Sequence, residues 1–187
     1  MTSSKIRCFL AIDIEPKLIA NIETIQEEFK KTNADIKYVP MENIHFTLKF
    51  FGDISEESID KVSIAINNVI KNYSPFEIAI SGSGAFPNED YIKVIWIGIS
   101  KNSTFINLQN DLDNEFKKLG FKKEKNYTAH LTIGRMKSPK NKKEVKNVLD
   151  LFKNYEIGFM KISNLSLKSS QLTSNRPIYS EIANFEL

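Results

Sequence analysis

The chain contains two histidines, His45 and His130. Each is followed by an apolar residue, a threonine and another apolar residue: His45-Phe46-Thr47-Leu48 and His130-Leu131-Thr132-Ile133. Eight threonines in 187 residues give each histidine roughly a 4% chance of a threonine two positions on, so both together fall to about 0.2%, and the pattern is treated as a signal. In an extended strand, residues two apart share a face. Each motif therefore presents an imidazole and a hydroxyl side by side, with an apolar anchor on the opposite face. An imidazole has an ordinary pKa near 6.5, so one of a pair can be neutral while the other is protonated. Such a pair suits in-line displacement at phosphorus, one ring activating the nucleophile and the other protonating the leaving oxygen. Threonine hydroxyls can donate to the non-bridging oxygens. Arg135, five residues past His130, has the wrong parity for that face unless a bulge or strand end at Gly134 turns it in, where its guanidinium would bind phosphate.

Composition narrows the alternatives. Hydrophobic residues make up 41% and charged residues 26%, ordinary for a globular protein. No apolar run reaches membrane-span length, and the opening Met1-Thr2-Ser3-Ser4-Lys5 has no apolar signal region. Cys8 is the single cysteine; it sits in an apolar run and reads as a buried, inert thiol in a reducing cytoplasm. Two histidines and one cysteine are poor material for a zinc site, so a mechanism without metal or cofactor is expected. The net charge of +3 is mild but uneven. Between Lys117 and Lys146 there are eleven Lys or Arg against Glu124 and Glu144, a basic block around His130 that fits a polyanion. No phosphate-binding glycine loop is present, and Ser81-Gly82-Ser83-Gly84 reads as a turn or bulge at a strand end.

The elements that must hold these residues follow from periodicity. Strands are expected over Lys5–Asp13, Asp35–Val39, Ile44–Phe51, Phe76–Ser83, Tyr91–Ile99, Tyr127–Met136, Glu156–Leu167 and Ile178–Leu187. Helices are expected from Pro16 to Lys31, Ser55 to Lys71 and Thr104 to Leu119, with a fourth capped by Ser138-Pro139. Gly52-Asp53 is read as the end of the first motif strand. The order repeats: strand, helix, motif strand, helix, strand, with Phe76-Glu77-Ile78-Ala79-Ile80 matching Tyr155-Glu156-Ile157-Gly158-Phe159. The expectation is a single α+β domain with an internal duplication, about 5–90 and 91–187. It has two pseudo-symmetric lobes, each an antiparallel sheet with helices on its outer face, facing each other across a central cleft.

On these residues the chain resembles the two-histidine phosphoesterase superfamily, within it the 2′-5′ RNA ligase-like group of RNA 2′,3′-cyclic phosphodiesterases. Arg7-Cys8-Phe9-Leu10-Ala11-Ile12 resembles the opening strand, and Val39-Pro40-Met41-Glu42-Asn43-Ile44-His45-Phe46-Thr47-Leu48-Lys49-Phe50-Phe51-Gly52 the first box. Gly84-Ala85-Phe86-Pro87 and Val94-Ile95-Trp96-Ile97-Gly98 resemble the middle strands, and His130-Leu131-Thr132-Ile133-Gly134-Arg135 the second box. Ser170-Gln171-Leu172, Tyr179 and Phe185-Glu186-Leu187 fit the tail. The sequence departs at Ala129, where proline is common, and at Thr173–Arg176, where the tail is less glycine-rich.

The resemblance implies metal-independent hydrolysis of a terminal RNA 2′,3′-cyclic phosphate to a 2′-phosphomonoester, with reversible 2′-5′ ligation by the same pair. It implies His45 as proton donor, His130 as proton acceptor, and Thr47, Thr132 and Arg135 on the phosphate; a monomer with no membrane partner is expected alongside, the latter from the lack of an apolar span. Two other readings stay open: a phosphodiesterase for 2′-5′ oligonucleotides or small cyclic nucleotides, and a non-catalytic RNA-binding module. Phe9, Phe50, Phe51, Trp96, Tyr127 and Tyr179 are candidate base platforms, with core packing the stronger reading for each and most of all for Trp96.

Overall fold

Alternating apolar residues and capped amphipathic runs fold as their periods dictate. A computed structural model describes residues 5–173 and 176–187; Met1 to Ser4, and Ser174 and Asn175 within the Thr173–Arg176 stretch, lie outside the described residues. The order is β1 (Ile6–Asp13), α1 (Pro16–Lys31), β2 (Ile36–Tyr38), a 3₁₀ turn (Met41–Asn43), β3 (His45–Ile54), α2 (Glu56–Ile70), β4 (Phe76–Asn88), β5 (Tyr91–Ile99), α3 (Ser103–Lys118), β6 (His130–Met136), α4 (Lys142–Phe152), β7 (Glu156–Ile162), β8 (Asn164–Leu172) and β9 (Pro177–Glu186).

The strands run β7-β4-β5-β6-β3-β1-β8-β9, with β2 on the edge of β6. This is an α+β fold of two four-strand antiparallel halves. They join where β3 meets β6, at the single pair Phe46 and Leu131. Reading outward from that junction gives β3-β1-β8-β9 on one side and β6-β5-β4-β7 on the other. By position β8 therefore corresponds to β4. The sequence match of β4 with β7 is superseded: those two strands pair with each other, Ile78 opposite Met160 and Ala79 opposite Phe159.

Helices close the outer faces. α1 packs on β7 and touches α4, α4 packs on β4, and α2 contacts both α3 and β9. α1 presents Leu18, Ile22, Ile25 and Phe29 as a buried stripe after Pro16, an arrangement that favours a helix start. Ser55 caps α2 by accepting from the Ser58 amide, and the left-handed Gly120 (φ 91°) follows α3. Between sheet and helices lies the core. Phe46 meets Phe105 edge-on at 5.8 Å and Phe51 meets Phe116 at 4.9 Å. Truncating a fully buried ring such as Phe46 costs about 3–5 kcal/mol.

Several boundaries differ from the sequence reading, each for a local reason. β3 continues through Gly52 to Ile54, because the positive φ of Gly52 (73°) accommodates a bulge at Phe51. Ser81 to Gly84 lie inside β4 rather than at its end, and form a bulge around Gly82 (φ 75°). α4 starts at Lys142, preceded by a left-handed Asn141 (φ 55°) with no side-chain cap, so Ser138-Pro139 precede the helix without capping it. The run Glu156–Leu167 divides into β7 and β8 at Ser163. Trp96 is half-buried on the cleft face of β5, tilted against Phe86 at 5.3 Å and lying over Gly84, where a Cβ would meet the indole at 2.2 Å.

Candidate active site

His45 pairs in register with Asp13 at the start of β3, and Thr47 with Ala11. On β6, His130 pairs with Gly98 and Thr132 with Trp96. Strand alternation puts each imidazole and its threonine on one face, with Phe46 and Leu131 buried behind. Both pairs line one cavity of about 540 Å³ on the concave side of the junction, together with Arg135, Phe50, Tyr179 and Asn43. The five residues singled out from the sequence, His45, Thr47, His130, Thr132 and Arg135, are thus brought together.

Both rings are held the same way. His45 Nδ1 lies 2.8 Å from the Asn43 carbonyl and His130 Nδ1 lies 2.7 Å from the Thr128 carbonyl. A carbonyl can only accept, so each Nδ1 carries the proton and each Nε2 is left with a lone pair when the ring is neutral. The Thr47 hydroxyl, 3.0 Å from His45 Nε2, then donates to it. Burial pushes the His45 pKa down to about 4. The Phe9 ring at 5.0 Å and the Tyr179 ring at 5.4 Å enclose it, excluding the water an imidazolium needs. His130 is also lowered, first by burial, then by the Arg135 guanidinium. Phe86 packs edge-on against it at 4.9 Å. In the unliganded cleft both rings are therefore neutral at pH 7. An arriving anion favours the charged form and supplies the proton-holding partner.

Arg135 reaches the cleft by a bulge. Trp96 pairs with Thr132 but the next residue back, Ile95, pairs with Gly134, so Ile133 is the extra residue. The bulge is held from the other edge, where the Ile133 carbonyl accepts from the Val39 amide at 3.0 Å and from Gln26 Nε2 at 2.9 Å. Gln26 is buried and its amide also donates to the Val39 carbonyl at 2.9 Å. Gly134 permits the close approach of β2, since a Cβ would meet Ile36 at 2.8 Å. The exposed Arg135 guanidinium has no carboxylate ion-pair partner among the described residues. Its influence extends to His130 and to the Tyr179 hydroxyl.

Sequence reasoning missed the supports. Gln26 resembles any polar helix residue until β6 is seen beside it. Lys49 reads as a surface lysine, yet it is 4% exposed and bonds Asp113 at 2.6 Å and the Lys122 carbonyl at 2.5 Å. The second Asp113 oxygen accepts from the Glu124 amide at 2.7 Å. Tyr127 donates to the Thr47 carbonyl at 3.0 Å. The segment entering the second motif is thus fastened to the strand of the first. Of the aromatic candidates, Phe50 (65% exposed) and Tyr179 face the cleft, Phe9 is buried against His45, and Phe51 and Tyr127 are packed inside. Arg176 and Pro177, at the end of the Thr173–Arg176 stretch, line the cavity, Arg176 paired with Glu42 at 2.6 Å. Cys8 is buried and burial pushes its thiol up to about 11, which suits an inert core residue. Among the described residues no three His, Cys, Asp or Glu side chains gather closely enough to hold a metal ion, and no helix is long and apolar enough to cross a membrane.

Comparison with known proteins identifies relatives of the chain and of its fold. The family model described as LigT like Phosphoesterase matches residues 12–96 and again residues 97–179. A Methanothermobacter thermautotrophicus protein named RNA 2′,3′-cyclic phosphodiesterase is 43% identical over 98% of this chain and all of its own. One of the same name from Methanocaldococcus jannaschii is 39% identical over 94% of this chain and 98% of its own. The fold is shared with Thermus thermophilus TT0787 (TM-score 0.82, 22% identity, 97% of each chain). It is also shared with Escherichia coli LigT solved with 3′-AMP (TM-score 0.78, 20% identity, 99% of each chain).

Proposed function

The chain belongs to the LigT-like phosphoesterase family, and on that footing we propose that it hydrolyses 2′,3′-cyclic phosphate ends of RNA to 2′-phosphomonoesters. The observation that carries the reading is one cavity lined by two histidine–threonine pairs whose imidazoles keep Nδ1 on a carbonyl and Nε2 for the cleft. The relatives named for this activity supply the substrate. Water attacks phosphorus in line with the P–O3′ bond. His130 Nε2 takes the proton from water as the new P–O bond forms, and the His45 imidazolium gives its proton to O3′ as that bond breaks. Each transfer contributes roughly 10²–10⁴-fold. Thr47, Thr132 and Arg135 hold the non-bridging oxygens, Arg135 by charge-assisted bonds. The bound phosphate anion brings the His45 pKa back up toward the working pH, so the ring enclosed between Phe9 and Tyr179 can hold the proton that it gives to O3′.

Phe50, exposed on the rim, is the stacking surface for the terminal base. Run backward, the same pair joins a cyclic phosphate to a 5′-hydroxyl in a 2′-5′ linkage. The two halves, about 5–90 and 91–187, derive from one duplicated unit, a reading supported by the two successive family matches. The protein acts as a cytoplasmic monomer. The test is to incubate it with end-labelled RNA bearing a 2′,3′-cyclic phosphate, with and without EDTA, and to locate the product phosphate. A 2′-phosphate in both reactions is expected; a 3′-phosphate, or loss of turnover in EDTA, overturns the mechanism.

A further inference from the structure

A second cavity of about 530 Å³ adjoins the first, and Arg135 and Lys137 line both. It runs along the start of β5 and the segment between β6 and α4. Its charged lining consists of Lys93, Arg135, Lys137 and Lys142, all exposed, with no carboxylate among its described lining residues. Tyr91, 60% exposed, forms one wall. Lys93 Nζ sits 4.9 Å from the centre of that ring, a cation–π contact that holds the amine beside the ring face. The acids at the β4–β5 turn do not neutralise this wall. Glu89 is engaged by Lys146 at 3.6 Å, and Asp90 offers Lys142 its backbone carbonyl at 2.9 Å. Cations around an exposed aromatic ring are what a single-stranded nucleic acid needs: charge for phosphates and a π-face for a base.

The opposite end of the cleft is a weaker candidate. There Lys122, Lys123 and Lys125 share their groove with Glu124, and its Lys49 is already neutralised by Asp113. We propose that the Tyr91–Lys93–Lys142 groove is an upstream RNA subsite, binding the phosphodiester backbone and one base of the nucleotides preceding the cyclic end. This rests on the phosphodiesterase reading and deepens it: the substrate is an oligonucleotide whose chain leaves the catalytic cleft past Arg135 and Lys137.

The test compares two substrates, 2′,3′-cyclic AMP and a hexaribonucleotide ending in a 2′,3′-cyclic phosphate, on wild type, Tyr91→Ala and a Lys93→Ser/Lys142→Ser double variant. These three positions lie outside the catalytic cavity. The expected result is a loss of about tenfold or more in kcat/KM on the hexamer and an unchanged value on cyclic AMP. The slope of log kcat/KM against log salt on the hexamer should shrink by roughly 1.4 in the double variant, about 0.7 for each phosphate contact on a single strand. Equal behaviour of wild type and variants on the hexamer overturns the subsite while leaving the hydrolase reading intact. If wild type turns over neither substrate, the hydrolase reading fails. Fluorescence anisotropy of a labelled 2′-phosphate-ended hexamer then decides the groove: weaker binding by the variants sustains it, and unchanged binding removes it.

Discussion

The two motif strands carry the same device with different side chains. In β3 and in β6 a bulge falls on the apolar residue after the threonine, Leu48 in one and Ile133 in the other. In both, the sixth residue of the box is thereby rotated onto the cleft face: Phe50, which pairs with Phe9, and Arg135, which pairs with Val94. The fifth residue points away from the cleft. Lys49 is buried on Asp113, whereas Gly134 leaves room for Ile36 of β2. One half therefore builds an aromatic wall around His45 from Phe9, Phe50 and Tyr179. The other places a cation beside His130. A shared strand device with unequal side chains fits the proposal that the two histidines make opposite proton transfers on one phosphate.

Removing either imidazole should produce the largest effect. His45→Ala and His130→Ala should each lower kcat on cyclic-phosphate RNA by about 10²–10⁴-fold, with circular dichroism and unfolding midpoint near wild type. A variant retaining full rate breaks the pairing of the two halves. The sixth positions should then separate by kind. Arg135→Ala should cost about 10–100-fold in kcat/KM, the worth of a charge-assisted bond, while Phe50→Ala should cost about tenfold, mainly in KM. Equal losses in the same parameter would erase the contrast between the walls.

The fifth position gives a stability difference. Lys49→Met leaves Asp113 charged and buried, so urea unfolding should show a loss of about 3–5 kcal/mol, and Lys49→Met/Asp113→Leu should recover most of it. Failure of the double variant to recover would mean that Lys49 acts through the Lys122 carbonyl instead.

The pH dependence differs as well. The His45 pKa is depressed from near 6.5 to about 4, so the fold excludes a proton that the unfolded chain takes up. Its stability contribution is complete above pH 6.5 and is lost as pH falls toward 4, by roughly 3 kcal/mol in all. His45→Gln should flatten that part of the unfolding free energy between pH 6.5 and 4. An unchanged slope would place the acid sensitivity elsewhere.

Much of this was legible in the sequence because two periods and one repeated spacing carried it. The alternation of β5, the proline start of α1 and the apolar stripes of α1, α2 and α3 needed only local rules. The repeated histidine–threonine spacing named four cleft residues, and the parity of Arg135 left it either on the surface or turned in by a bulge or strand end at Gly134; the extra residue is Ile133, one position earlier. What stayed hidden depends on contacts across the chain. Gln26 finds the Ile133 carbonyl 107 residues away, and Lys49 finds Asp113 across 64. The pairing of β4 with β7 could not be read from their similar composition, since partners and counterparts in a pseudo-symmetric sheet look alike in sequence. Phe50 was visible only as one aromatic among six, because its exposure follows from a bulge at Leu48 that no turn residue announces.

The central claim is that His45 gives a proton to the leaving oxygen and His130 takes one from water. A leaving group that departs without a proton separates the two roles. On a 3′-deoxynucleoside 2′-(p-nitrophenyl phosphate), nitrophenolate takes the place of the leaving O3′ and its release reports the rate directly. The account predicts that His45→Ala keeps within about tenfold of the wild-type rate on this ester while His130→Ala stays reduced by about 10²–10⁴-fold. The reverse pattern, rescue of His130→Ala with His45→Ala still inactive, would contradict it.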